Sequence, residues 1–344
     1  MRAVTKRPAT TKLAGVLAAL ALCCSPIAAQ AAPTAQTQAQ PRASATARSG
    51  PTQVAARPCE AKIAGLVGPD LRMADVVAVG SPPKLTLRRY EHPIQRFDGA
   101  DRSRGVRAMG TTASWWDDSP GAGDAVGADA WSALTLQGTS LVAVRWRQDR
   151  LPLGHELLDR YGSHQHVEMT PLGRGWGAFT QLIDSGREFR EFYAYAPRLK
   201  GGSIYRYVRT PTGVKSAGVV SGFGDLKAIT IISSRPTKDV LLANTSTGRL
   251  LAITVPRTTR MTTSMSRLRT STWQGFERLV ASPCGQGTGL LAIDDETGKG
   301  YFYEMGHAAG ARTAIRRVPG VVPMSDRRVI APSIGMAWDD LRGA

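Results

Sequence analysis

A chain of 344 residues holds one large domain or two average ones, and no stretch after the first thirty residues is apolar enough to span a membrane. The 44 basic residues outnumber the 27 acidic ones, giving a formal charge of +17. Seven of the basic residues and none of the acidic ones precede Pro58, which leaves 37 against 27, or +10, for the remainder.

Residues 1–31 read as a secretory signal. Arg2, Lys6, Arg7 and Lys12 precede an apolar run from Leu13 to Cys24, and Ala29-Gln30-Ala31 supplies the small residues of a cleavage site. Leu22 stands before Cys23, where a lipoprotein would carry a small residue. Residues 32–58 are rich in Ala, Thr, Gln, Ser and Pro, a composition that cannot build a core and reads as a disordered linker. Once Cys23 and Cys24 leave with the signal, Cys59 and Cys284 are one pair in an oxidising compartment. A disulfide joining the start of the fold to a late loop is expected, with two buried free thiols as the alternative.

From Cys59 onward the chain is written in short apolar runs separated by Gly, Thr, Ser, Asn and Pro, which is strand and turn grammar. Ile63 to Val67, Asp75 to Val79 and Leu85 to Leu87 form a first, degenerate unit. Trp115-Trp116-Asp117-Asp118 then reads as a strand end leading into a long loop. Trp131 to Leu136 and Leu141 to Val144, split by Gly138, make a second unit. An insertion between Arg150 and Arg174 carries His155, His164, His166 and Glu168, a weak metal-binding pattern without a third ligand at known spacing.

From Gly175 the chain repeats itself. Gly175-Trp176-Gly177-Ala178-Phe179 with Leu182 returns 47 residues later as Gly222-Phe223-Gly224-Asp225-Leu226 with Ile229, and again as Trp273, Phe276 and Leu279. Val240 to Ala243 followed by Thr247-Gly248 returns fifty residues on as Leu290 to Ile293 followed by Thr297-Gly298. Leu279-Val280-Ala281 is matched by Val329-Ile330-Ala331 at the same interval. Four short strands in a period of 40 to 50 residues is the content of one propeller blade, and copies must stack to hide their faces. The expected fold is all-β: a single β-propeller of about five four-stranded blades, six being the alternative count and an open β-sandwich the competing architecture. The expected blades span 60–115, 116–174, 175–221, 222–272 and 273–322, with 323–344 closing the ring.

The phrase Gly175-Trp176-x-x-Phe179-x-x-Leu182 with Gly202-Ser203-Ile204-Tyr205 resembles the tachylectin-like five-bladed propellers, and also the FG-GAP or VCBS-type repeats of secreted actinobacterial proteins. The first resemblance implies a lectin with sites between blades for N-acetylated hexosamines. The second implies a calcium loop, yet neither Asp184-Ser185-Gly186 nor Asp294-Asp295-Glu296 alternates its oxygen ligands as such a loop requires.

Candidate ligand contacts are the repeated aromatics Trp176, Phe223 and Trp273, with Asn244, Arg249, Asp294 and Lys299 in equivalent turns. Blade packing and turn chemistry are the competing explanations for these positions. Arg257, Arg260, Arg267, Arg269, Arg316 and Arg317 are candidates for binding polyanions. The chain has no Gly-x-Ser-x-Gly, no His-Glu-x-x-His and no phosphate-binding glycine loop, and no metal or cofactor is expected. The expected protein is a secreted, monomeric, non-catalytic lectin-like module for glycan or anionic cell-wall polymer, with no nucleic-acid partner and no membrane span. The alternatives are an exported glycan hydrolase using acids such as Asp118, Asp184 or Asp225 in a central funnel, and a polyanion-binding adhesion protein.

Overall fold

Val240, Leu241, Leu242 and Ala243 are all buried, although successive residues of a strand point to opposite faces. A sheet whose two faces are both apolar needs a neighbour on each side. The computed structural model describes residues 59–335 apart from 69, 80–83, 90–94, 97–104, 111, 118–126, 151–164, 186–189, 286 and 328–329, so the signal and linker assignments lie outside the described residues. Within it, five antiparallel blades answer that need in a ring.

The first blade contains β1 (Glu60–Val67), β2 (Asp70–Val79), β3 (Lys84–Arg89) and the short β4 (Gln95–Arg96). The second contains β5 (Val106–Met109) and β6 (Thr112–Asp117), which lie end to end against β7 (Gly127–Gln137), followed by β8 (Ser140–Arg150) and β9 (Gln165–Arg174). β10 (Gln181–Ser185), β11 (Glu191–Ala196), β12 (Ser203–Thr210) and β13 (Gly213–Ser221) form the third. The fourth consists of β14 (Leu226–Ser234), β15 (Lys238–Thr245), β16 (Leu250–Pro256) and β17 (Ser264–Arg269). β18 (Arg278–Cys284), β19 (Gly287–Asp294), β20 (Lys299–Met305) and β21 (Ile315–Arg317), with β22 (Val322–Pro323), complete the fifth. Trp115, Trp116 and Asp117 are the last three residues of β6, the strand end expected from the sequence, and Asp118 lies outside the described residues.

The buried apolar residues fall into five clusters, one for each blade-to-blade junction. In blade 4, Leu241 and Ala243 pack toward Tyr193 and Tyr195 of blade 3, while Val240 and Leu242 pack toward Trp273 and Leu290 of blade 5. The alternation of every strand is thus spent on two interfaces, which is why the runs read as continuously apolar.

Closure comes from β23 (Ile330–Gly335). It pairs antiparallel with β1 through Ile330–Pro332, supplying the innermost strand of the first blade, and parallel with β6 through Ser333–Gly335. The Cys59–Cys284 disulfide, with Cα atoms 4.8 Å apart, ties the start of β1 to the end of β18 across the same junction. Ser282 Oγ adds a hydrogen bond of 2.5 Å to the Glu60 carbonyl.

The repeated aromatic phrase is a tight turn that opens each inner strand. The N–H of Phe179, Leu226 and Phe276 donates to the carbonyl of Trp176, Phe223 and Trp273 respectively. The turn is then gripped by the preceding blade. Arg107 donates to the Trp176 and Phe179 carbonyls at 3.1 and 3.0 Å. Tyr195 Oη donates to those of Phe223 and Leu226 at 2.6 and 3.1 Å, and Asn244 Nδ2 to those of Trp273 and Phe276 at 2.7 and 2.8 Å. Three unlike donors thus reach the equivalent pair of carbonyls in three successive turns.

Each aromatic N–H also donates back to a hairpin of the preceding blade, at Thr139, Gly202 and Gly248. Gly202 (φ 84°) allows this approach, because a Cβ there would lie 2.2 Å from the Gly224 nitrogen. The fifth blade repeats the bond as Met324 N–H to the Gly298 carbonyl. Met324 therefore holds the aromatic position of the last turn, and Ile330, six residues on, holds the place of Leu279. The interval there is 51 residues, which corrects the fifty-residue match of Leu279 to Val329 by one.

A second buried network joins blades 3 and 4 near the other ends of their inner strands. Asp239, fully buried, accepts from Ser185 Oγ at 2.6 Å, Tyr193 Oη at 2.7 Å and Arg257 Nη2 at 2.8 Å. Burial and the Asp239 charge both push the Tyr193 phenol up, and burial followed by the charge of Asp225 pushes Tyr195 up to about 12.

Two outcomes follow from this framework. Reducing the disulfide, or Cys59→Ser with Cys284→Ser, should lower unfolding stability by roughly 2–4 kcal/mol, read from urea midpoints; an unchanged midpoint would show that β23 alone secures the junction. A tyrosine whose folded pKa exceeds its unfolded value near 10 stabilises the fold fully below pH 10 and loses that contribution as pH rises through about 12. Tyr195→Phe should therefore be less stable than wild type at pH 8, by about 1–3 kcal/mol for the two ungripped carbonyls. Its stability curve should converge on wild type between pH 10 and 12; parallel curves would contradict the assignment.

Candidate ligand-binding site

The repeated aromatics lie in the blade junctions. Trp176, Phe223 and Trp273 are 5%, 4% and 4% exposed, so none offers a ring face to a ligand in solution. Asn244 is fully buried, donating to two carbonyls and accepting from the Ala228 N–H at 2.9 Å. Both observations correct the expectation that these residues contact a ligand directly: the repeat recurs because blades must dock. In the turns, Arg249 is ion-paired with Asp225, and Asp294 accepts from the Thr297 N–H at 2.9 Å. Lys299 is exposed at the start of β20.

What the sequence named only as closing apolar runs carries more. Tyr205 and Tyr207 of β12 are half-buried and face the junction of blades 2 and 3, packed on Trp176 and Phe179. Trp176 lies 4.8 Å from Tyr207 between ring centroids, and Phe179 meets Tyr205 edge-on at 5.3 Å. Tyr301 and Tyr303 of β20 repeat the arrangement between blades 4 and 5. Trp273 lies 4.9 Å from Tyr303, and Phe276 lies 5.7 Å from Tyr301. Strand pairing confirms the equivalence, since Tyr205 stands opposite Ala194 and Tyr301 opposite Ala292. Blade 4 has Leu251 and Ile253 at these two places. The protein thus carries two half-exposed tyrosine pairs, each braced from beneath by a buried Trp and Phe. Burial and then the Tyr205 charge push the Tyr207 phenol up to about 12, and burial pushes the Tyr303 phenol up, so one ring of each pair keeps its O–H donor beside ring surface at ordinary pH.

A second candidate lies where the five inner strands approach one another. A cavity of about 200 Å³ has apolar walls that include Leu182, Ile229, Leu279 and Ile330. Much of its polar lining is engaged internally, although Arg278 Nη1 is buried without a hydrogen-bond partner among the described residues. Gln181 bonds the Lys227 carbonyl and the Ile229 N–H, Glu277 pairs with Lys227, and Arg278 pairs with Asp295 at 2.8 Å.

Of the candidate hydrolytic acids, Asp184 and Asp225 are described, and each lies against different partners. Asp184 is buried against Gly110 and lies 3.7 Å from Arg209 Nη2, Asp225 is held by Arg249, and Asp118 lies outside the described residues. Among the described residues no three or more His, Cys, Asp or Glu gather as metal ligands. His155 and His164 lie outside the described residues, and only the backbone of His166 is described, in β9. No described helix is long and apolar enough to cross a membrane.

The arginines divide. Arg257 is consumed by Asp239, Ser185 and Ser234, which corrects its assignment to an anion-binding surface. Arg316 is paired with Glu304. Arg260 and Arg267 are exposed, Arg269 donates to the Thr313 carbonyl at 2.9 Å, and Arg317 lies 4.7 Å above the Tyr301 ring.

No protein-family model and no curated protein matches the chain in sequence. Solved structures match it in shape at low similarity. A TolB from Acinetobacter baumannii has a TM-score of 0.36 and 13% identity over 79% of this chain, which spans only 66% of the TolB chain. A mutant of the Aleuria aurantia lectin AAL in complex with Fucalpha1-6GlcNAc has a TM-score of 0.37 and 10% identity, covering 78% of this chain and 80% of that one. The fucose-specific lectin from Aleuria aurantia, as a mercury derivative, has a TM-score of 0.36 and 10% identity over 78% of this chain and 79% of that one. At these scores the likenesses decide nothing about a ligand.

Proposed function

We propose that the protein is an exported, non-catalytic binding module for glycan or cell-wall polymer, acting through its two half-exposed tyrosine pairs, each of which we take to face a groove between neighbouring blades. The observation that carries this reading is the duplication of a half-exposed tyrosine pair on blades 3 and 5, where blade 4 keeps plain aliphatic residues. Sugars present C–H faces flanked by hydroxyls, and they suit a surface that offers ring carbon and phenolic O–H together. A braced ring loses little conformational entropy on binding. Two grooves on one rigid ring engage a polymer twice, so avidity exceeds the affinity of either groove. Export is supported by the basic and apolar pattern before Ala31 and by the single disulfide, a bond favoured in oxidising compartments.

Titration of the mature protein against N-acetylated oligosaccharides and wall polymers tests the reading. Tyr205→Ala and Tyr301→Ala should each weaken polymer binding about tenfold, the scale of one lost aromatic contact, and the double variant should lose the avid component altogether. Thermal unfolding should shift little, because both rings are half exposed. Absence of binding to every glycan by the folded wild type would sink the proposal.

A further inference from the structure

The two grooves differ in one respect. Around Tyr205 and Tyr207 the outer strand presents Val214, Ser216 and Val219, so the phenol rings meet solvent beside small and apolar groups. Around Tyr301 and Tyr303 the outer strand presents Arg317, whose guanidinium lies over the Tyr301 ring at 4.7 Å. Where the first groove offers aromatic surface beside small and apolar groups, the second places a cation over one of its rings.

The charges around it are uneven. Arg316 is matched by Glu304, but among the described residues Arg269, Arg312 and Arg317 have no carboxylate partner. Arg269 reaches across from β17 of blade 4 to the Thr313 carbonyl at 2.9 Å, which joins the outer parts of blades 4 and 5. Arg312 adjoins Thr313 and is exposed. An arginine stacked on an aromatic keeps its edge N–H donors free while its rotamer is restrained, the arrangement suited to taking an anion in its plane. Arg269 spends two nitrogens on neutral carbonyls, those of Leu268 and of Thr313 in the facing blade, so its charge is held at this blade junction without being cancelled.

We propose that the groove of blades 4 and 5 binds the acidic sugar residue of an anionic polysaccharide, a uronate, whose carboxylate accepts from Arg317 with Arg269 and Arg312 supplying further positive potential. The proposal rests on the glycan-binding reading above and assigns the ligand class to one of its two grooves. The groove of blades 2 and 3 takes neutral sugar, so the whole protein recognises a polymer in which acidic and neutral residues both occur. This differs from diffuse attraction of polyanions to a basic protein, in which every exposed arginine counts alike and sugar rings are irrelevant.

The test is calorimetric titration of the mature wild-type protein with oligogalacturonate, with a neutral oligosaccharide of equal length, and with polyglycerol phosphate, which carries anionic charge without sugar rings. Oligogalacturonate should bind about tenfold more tightly than the neutral oligomer at 150 mM salt, the scale of one charge-assisted hydrogen bond, and also more tightly than polyglycerol phosphate. Arg317→Gln should abolish the acidic preference. Arg260→Gln makes the same charge change in the loop whose Met261 packs on Gly218 of blade 3, and it should leave the ratio of acidic to neutral affinities unchanged. Equal affinity for acidic and neutral oligomers would overturn this inference while leaving glycan binding intact. Equal affinity for oligogalacturonate and polyglycerol phosphate, or equal losses in the two variants, would overturn it in favour of diffuse electrostatics. Binding of none of the saccharides would overturn the parent reading with it.

Discussion

Burial on both faces governs this protein. A four-stranded antiparallel sheet with one wet face could stop after a single copy, but these strands are apolar on both sides and each blade needs two partners. Only a closed ring leaves no blade with a bare face. The five apolar clusters, each shared by two neighbouring blades, are the physical expression of that requirement. Position around the ring is set by polar bonds at its rims, where a side chain of one blade reaches the backbone carbonyls of the next blade's opening turn.

Those polar bonds explain why the repeat is strict in one place and loose in another. The turn itself is constrained, because its large first residue must fill a junction and its N–H must meet the preceding hairpin. The donor that grips it is free to vary. Arg107 comes from an inner strand, whereas Tyr195 and Asn244 come from second strands, and all three reach the same two carbonyls. The third strands also vary: those of blades 3 and 5 carry half-exposed tyrosine pairs where that of blade 4 has Leu251 and Ile253.

Much of the architecture was legible in the sequence. The return of Trp176, Phe223 and Trp273, and of the paired apolar runs, announced a ring of strand units because each copy solves the same docking problem. The last turn escaped register because Met324 replaces the aromatic that marks the others, and apolar neighbours at Val329 and Ile330 allow either alignment. The candidate site was less legible. An aromatic that recurs in every unit attracts a functional reading, yet recurrence here marks burial. The tyrosines of β12 and β20 recur in only two blades and alternate with buried neighbours such as Ile204 and Phe302, so period alone gives no sign of their exposure. Arg257 and Arg317 look alike in the sequence; only the fold places one on Asp239 and the other on a tyrosine ring.

The innermost strand of the first blade is made of Ile330–Gly335, more than 260 residues after its partner β1 began. Blade 1 therefore waits through the synthesis of every other blade with its inner edge unpaired, and the ring has no stable partial form at that junction. Loop closure over such a distance is slow, and an open edge during the wait invites pairing with another chain. A ribosome that stalls before residue 330 releases four nearly finished blades and one adhesive edge.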